Sequence, residues 1–355
     1  MSTTSVTAGA TQSFDLAALA VFMRSHVDGF TGQLAIERFK GGQSNPTYQL
    51  TDSRGTRYVL RKKPEGDLLP SAHAVDREYR VMTALHPTDV PVARTHCYCD
   101  DASVIGTPFY IMDFVEGRVL WDPALPGMAN SERHAIYADI NRVVAALHSV
   151  DHKAVGLEDY GRPGNFFDRQ IARWTRQYRA SATDSIPAMD ALIEWLPANL
   201  PPGDETRIFH GDLRLDNLIF HPTEPRVLAV LDWELSTLGH PLADFAYHVL
   251  PWRLSAAQFR GMAGTHYASL GLPDELAYMR AYCQRVNRDP IDPSHWEFYL
   301  AYSMFRLAAI LQGIMKRALD GTASSAQALE TGMRARGIAE AAWLQVRAHF
   351  PVGTF

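Results

Sequence analysis

The chain carries His210, Gly211 and Asp212 in a row, Asn217 five positions after the aspartate, and Asp232 shortly downstream. This order and spacing is that of a phosphotransfer loop, in which the Asp accepts the proton of an attacking hydroxyl and the Asn holds a metal ion. Asp232 is the expected second metal ligand. One amide oxygen and one carboxylate are hard donors, the kind Mg²⁺ prefers.

Such side chains work only if something brings them together. The segments NLIF and VLAVLD, 217–220 and 227–232, read as short apolar strands, and the connection HPTEPR between them has the prolines and charges of a hairpin turn. A hairpin closes its open ends on each other and so sets residues 217 and 232 side by side, with Asp212 on the adjoining loop. Asp and Asn are also common at turns and strand ends for backbone reasons alone. Asp216 is assigned to that structural class, while the ordered set of Asp212, Asn217 and Asp232 is not.

Upstream, LAIERF, TYQL and RYVLRKK read as strands, with Asp52-Ser53-Arg54-Gly55 as a turn between the last two. Between the first two lies GGQSNPTY, where Gly41 and Gly42 allow close backbone approach and Gln43, Ser44 and Asn45 place polar groups at the tip. This loop is expected over nucleotide phosphates. Strand alternation sets Val59, Arg61 and Lys63 on one face and Tyr58, Leu60 and Lys62 on the other. Arg61 is the expected phosphate-gripping cation and Lys62 the alternative. A helix from Ser71 over AHAVDREYRVMTAL turns Glu78 inward with Val75 and Met82, and an inward carboxylate needs a partner, for which Arg61 is the candidate. Two further strands, near 92–99 and 108–115, lead to a hinge at Asp113, Phe114 and Val115, whose backbone is expected against adenine.

An earlier helix, capped by Ser13 or Asp15, carries Leu16, Leu19, Met23 and Val27 on one face, and residues 1–12 read as a loose tail. Beyond 130 the pattern is helical, from Asn130 or Ser131 and then near 165–180, 187–197, 242–250, 273–287, 294–318 and 324–349. His210 and Asp244 are assigned to support of the phosphotransfer loop. Two lobes are expected, 13–115 binding nucleotide and 116–355 carrying the catalytic loop and substrate pocket.

The 355 residues are 46% hydrophobic and 21% charged, with a formal net charge of -5, so neither nucleic acid nor an anionic membrane is an expected partner. Three cysteines are too few for a disulfide framework and suit a reducing cytoplasm. The run LAALAVFM is too short to span a bilayer.

With GGQSNPTY, VLRKK, Glu78, HGDLRLDN and LDWE in order, the chain resembles the aminoglycoside phosphotransferase and choline kinase-like family, relatives of the protein kinases. More narrowly, GGQSNPTYQL, YVLRKKPEGDLLPSAHAVDREYRVM and YGRPGNFFDRQIARWTRQY look like the kinase-like domain fused to acyl-CoA dehydrogenases in some animal proteins and free-standing in many bacteria. The resemblance implies an α+β, two-lobed protein-kinase-like fold, with an antiparallel sheet and helix in the N-terminal lobe and a mainly helical C-terminal lobe. It implies ATP and Mg²⁺, with Asp212 as base, Asn217 and Asp232 as metal ligands, and Arg61 with Glu78 gripping the nucleotide. Arginine at position 61 departs from the lysine usual in kinases, and the two are not interchangeable. For the narrower group it implies phosphorylation of a hydroxy fatty acid or its acyl-CoA and a functional link to an acyl-CoA dehydrogenase. Arg169, Arg173 and Arg176 are then candidates for a substrate carboxylate or CoA phosphate, or else the polar face of a helix. The rival expectations are an aminoglycoside, macrolide or choline-type kinase, and a catalytically silent nucleotide-binding module.

Overall fold

The computed structural model describes residues 14–39, 45–65, 73–323 and 325–350, and the chain packs as two units, Met1–Arg80 with Arg94–Phe114, and Val81–Ala93 with Val115–Phe355.

The first unit opens with α1 (Leu16–His26), whose N-cap is Asp15, accepting from the N–H groups of Ala17 and Ala18. It continues through β1 (Ala35–Arg38), β2 (Thr47–Thr51), β3 (Arg57–Lys62), the start of α2 (Val75–Leu85), β4 (Thr95–Cys99), α3 (Ala102–Ile105) and β5 (Phe109–Asp113). The strands form one antiparallel sheet in the order β1-β2-β3-β5-β4. The turn between β2 and β3 is closed by the Asp52 carboxylate, which accepts from the N–H of Arg54 and of Thr56, both at 2.9 Å. Leu50, Tyr58, Leu60, Phe109 and Ile111 bury one face of the sheet against Leu19 and Met23 of α1. Alternation along β3 therefore sends Arg61 to the opposite face.

The second unit contains β6 (Arg118–Val119), α4 (Asn130–Ser149), α5 (Phe166–Ser181), α6 (Pro187–Ala198), β7 (Arg207–Phe209), β8 (Leu218–Phe220), β9 (Val227–Val230), β10 (Thr237–Gly239) and α7 (Pro241–Arg253). It ends with α8 (Ala256–Phe259), α9 (Tyr267–Leu270), α10 (Glu275–Arg285), α11 (Pro293–Leu319) and α12 (Ala328–His349). Its core is α11, long and apolar enough by composition to cross a membrane, but with 78% of its apolar window buried inside the unit. It packs against α5, α7 and α12.

The predicted hairpin is β8–β9, with Leu218 opposite Val230 and the N–H of Leu231 donating to the Asn217 carbonyl at 2.8 Å. The sequence reading did not anticipate β6, β7, β10, α3, α8 or α9. Segments of two to four residues are too short to display a period. The helix expected from Ser71 begins at Val75, and the one expected from 324 begins at Ala328.

Candidate active site

The loop between β7 and β8 is held by its backbone. The N–H groups of His210 and Gly211 donate to the two oxygens of Asp244, at 2.6 and 2.9 Å. Asp244 lies in the first turn of α7 and is fully buried. Burial alone would raise its pKa, but His148, His210 and these hydrogen bonds outweigh it and hold the pKa below the ordinary value. The His210 ring bridges in both directions. Its Nδ1 accepts from the Asp212 N–H at 3.1 Å, so Nε2 carries the proton and donates to the Leu231 carbonyl at 2.8 Å. The ring thus ties the loop to the end of β9, next to Asp232. Gly211 has φ 89°, and a Cβ there would meet Leu235 and Phe209 at 3.0 Å, so any side chain would be strained. Its carbonyl accepts from Nη2 of the buried Arg306 at 2.5 Å, and the Leu213 carbonyl accepts from His248 at 3.1 Å.

Asp212 stands on this clamped backbone with its side chain 18% exposed. Tyr247 donates to Oδ1 at 2.8 Å, Asn217 Nδ2 to Oδ2 at 3.0 Å, and Arg214 approaches both oxygens at 3.0 and 3.1 Å. For Arg214, burial works against the charge, but Tyr247, Asp212 and Asp216 outweigh it and raise its pKa, so it stays a cation. Asn217 also donates to the Asp212 carbonyl at 2.7 Å, which leaves its amide oxygen as the atom able to coordinate. Asp232 has φ 64° and ψ 60°, a left-handed conformation that Asp tolerates better than most residues. Among the described residues no group of three or more His, Cys, Asp or Glu could hold a metal ion. Asn217 and Asp232 offer one amide oxygen and one carboxylate, a donor type that Mg²⁺ takes when phosphates and water complete its shell.

In the first unit, Arg61 Nε lies 2.7 Å from Glu78 Oε2. Glu78 is 1% exposed and accepts also from Asn45 at 2.6 Å and Tyr110 at 3.1 Å. Tyr110 is the register partner of Arg61 across β3 and β5. Lys62, the alternative cation, points to the α1 face, pairs with Glu65 at 2.6 Å and lies 5.2 Å over the Phe14 ring. Asn45, expected at a loop tip on phosphates, is instead 1% exposed and serves Glu78 and His73. A buried carboxylate needs donors more than an exposed loop needs one more amide.

Gly41, Gly42, Gln43 and Ser44 lie outside the described residues. At the expected hinge, Asp113 binds His96 at 2.7 Å, Phe114 stacks on Phe39 beneath the Arg57 guanidinium, and the division between units falls between Phe114 and Val115. Of the three candidate arginines on α5, Arg169 is committed to the carbonyls of Gly164 and Arg162. Arg173 lies beside Trp174, and both it and Arg176 are exposed. Asp216 is paired with Arg214 and Arg260.

Sequence reasoning missed Arg214, Tyr247 and Arg306. Two of them had legible signals. Tyr247 follows Asp244 by one helical turn, which puts both on the loop-facing side of α7, and Arg306 interrupts the apolar run YLAYSMFRLAAIL.

A model of the phosphotransferase enzyme family matches residues 35–282. Acyl-CoA dehydrogenase family member 10 of Mus musculus is 50% identical over 317 residues, 88% of this chain but 29% of the mouse protein. The chain therefore spans less than a third of that relative's length. The crystal structure of a candidate aminoglycoside phosphotransferase from Ralstonia eutropha superposes with a TM-score of 0.87 at 59% identity, covering 94% of this chain and 99% of that one. Spectinomycin phosphotransferase, solved with ADP and spectinomycin, shares the fold at a TM-score of 0.61 and 11% identity, over 94% of this chain and 99% of its own.

Proposed function

This chain belongs to the phosphotransferase enzyme family, and on that premise we propose that it moves the terminal phosphoryl group of ATP to a hydroxyl of a hydroxy fatty acid or its acyl-CoA thioester. The observation that carries phosphotransfer is the clamped loop that presents Asp212 beside Asn217, with His210 tying that loop to the strand end before Asp232. The acyl preference is supported by the relative named as an acyl-CoA dehydrogenase family member.

Asp212 accepts the hydroxyl proton as the acceptor oxygen bonds to phosphorus. The bond from phosphorus to the bridging oxygen of ADP breaks, and ADP leaves with the electron pair. Asn217 and Asp232 would hold Mg²⁺, which when bound neutralises phosphate charge. Arg61, kept in place by Glu78, supplies a guanidinium to the nucleotide phosphates. Positioning and charge neutralisation carry most of the rate, and no covalent enzyme intermediate is required. A functional link to an acyl-CoA dehydrogenase follows from the same reading.

A second reading, an aminoglycoside kinase, is supported by the likeness to the Ralstonia structure. ATP consumption with Mg²⁺ is to be measured against hydroxy acids, hydroxyacyl-CoAs, choline, aminoglycosides and macrolides, with Asp212→Asn as control. Turnover confined to hydroxy acids or their thioesters supports the first reading. Turnover only with a cationic alcohol keeps the chemistry and discards the acyl substrate. Tight ATP binding with silence across the panel makes a regulatory module the better account.

A further inference from the structure

The second unit holds an apolar pocket lined by two of the side chains that bind Asp212. These are Tyr247 and Arg214. Anything filling the pocket is thus one side chain away from the candidate base. Inward, the wall is Ile140, Leu250, Trp252 and Leu307, none more than 5% exposed. Outward it reaches Phe259 and Trp121, and Trp121 is 63% exposed with Arg260 over its ring. The enclosed space is about 50 Å³ and opens through this mouth to solvent.

The polar groups of this wall are occupied by the protein itself. Tyr137 donates to the Pro123 carbonyl at 2.6 Å and Trp252 to the Pro273 carbonyl at 2.9 Å. Both nitrogens of His248 are engaged, by the Leu213 carbonyl and the Tyr278 hydroxyl, at 3.1 and 2.8 Å. The one carboxylate in the lining, Asp216, is shared by Arg214 and Arg260. The wall therefore offers little to water and no uncompensated negative charge to a polycation. Hydrocarbon is what gains most by entering it.

We propose that this pocket receives the hydrocarbon chain of the phosphoryl acceptor, with the acceptor hydroxyl at Asp212, and that its depth sets the chain length the enzyme takes. The assignment rests on the phosphotransfer reading above, but part of its test does not need turnover.

Binding of hydroxybutanoate, hydroxyhexanoate, hydroxyoctanoate and hydroxydecanoate is measured by calorimetry without ATP, and kcat/KM for the same acids and their CoA thioesters is measured with ATP. Affinity should rise about fourfold per added methylene, the ratio equivalent to about 0.8 kcal/mol, until the pocket is full. Ile140→Phe, which fills the inner end, should remove the gain for the longer chains while sparing the shortest. Phe259→Trp, at the half-buried mouth, should lower the chain length at which the gain stops, and it keeps the test decisive should the Ile140 variant not fold. Affinity independent of chain length, or a trend that both folded variants leave intact, overturns the proposal. Chain-length-dependent binding without turnover upholds the pocket and sinks the phosphotransfer reading. Turnover without chain-length dependence does the reverse.

Discussion

Glu78 in the first unit and Asp212 in the second are each held by the same three kinds of donor, an asparagine amide, a tyrosine hydroxyl and an arginine. Around Glu78 these are Asn45, Tyr110 and Arg61. Around Asp212 they are Asn217, Tyr247 and Arg214. Burial separates the two. Glu78, at 1% exposure, is closed off from solvent, so in the proposed mechanism it fixes Arg61 and the cation is the working member. The Asp212 side chain, 18% exposed, remains reachable, and in the same proposal the carboxylate is the working member. The same kinds of donor thus suit a scaffold in one place and a reactive group in the other.

Asp212→Asn is the hardest blow to this contrast and should cut kcat by about 10²–10⁴-fold, the range spanned by loss of a general base, with nucleotide affinity retained. Calorimetric titration of ATP alongside the turnover assay checks both halves. Glu78→Gln should act the other way round, raising KM for ATP by roughly tenfold or more through loss of a charge-assisted contact worth about 1.5–3 kcal/mol, with a smaller change in kcat. Comparable losses in kcat from both variants would erase the distinction between scaffold and reactive carboxylate.

Acid should find the second set first. Burial pulls His240, the N-cap of α7, and His248 on the same helix down from 6.5 to about 4, so the unfolded chain takes up protons that the folded chain refuses. Their contribution is complete above about pH 6.5 and is lost as pH falls toward about 4. Because protonation of His248 takes away the ring nitrogen that faces the Tyr278 hydroxyl, behind the Leu213 carbonyl, amide protection factors at 210–213 should fall over that window before those in β3 do. A simultaneous fall in both would place the acid sensitivity elsewhere. The mildest change is Tyr247→Phe, which removes one of the three donors of Asp212 and should lower kcat by less than about tenfold, an effect of about 0.5–1.5 kcal/mol. A larger loss would make Tyr247 more than a positioning group.

The same contrast explains what the sequence made visible. Asp212, Asn217 and Asp232 lie on one loop and one hairpin, so their order and spacing survive in the linear text. Asn45, Tyr110 and Glu78 meet across 32 and 33 residues. No local period announces such a meeting, and Asn45 was accordingly expected on phosphates. Glu78 was readable because an inward carboxylate on an apolar helix face demands a partner, which named Arg61 in advance. Helix α11 was legible as a helix, but the role of Arg306 was not, since its bond to Gly211 spans 95 residues. The longer elements followed from periodicity, while the short strands β6, β7 and β10 exist through pairings that become apparent only in three dimensions.

Asp244, His210, His248 and Arg306 all grip the catalytic loop by its main chain. Main-chain groups are the same whatever side chains the loop carries. Substitutions at Leu215 or Asp216, which line the pocket wall without bonding Asp212, can therefore accumulate without displacing the base. Acceptor preference and phosphoryl chemistry are heritable separately in such a scaffold, so a lineage can change its substrate in small steps while each intermediate remains a working kinase.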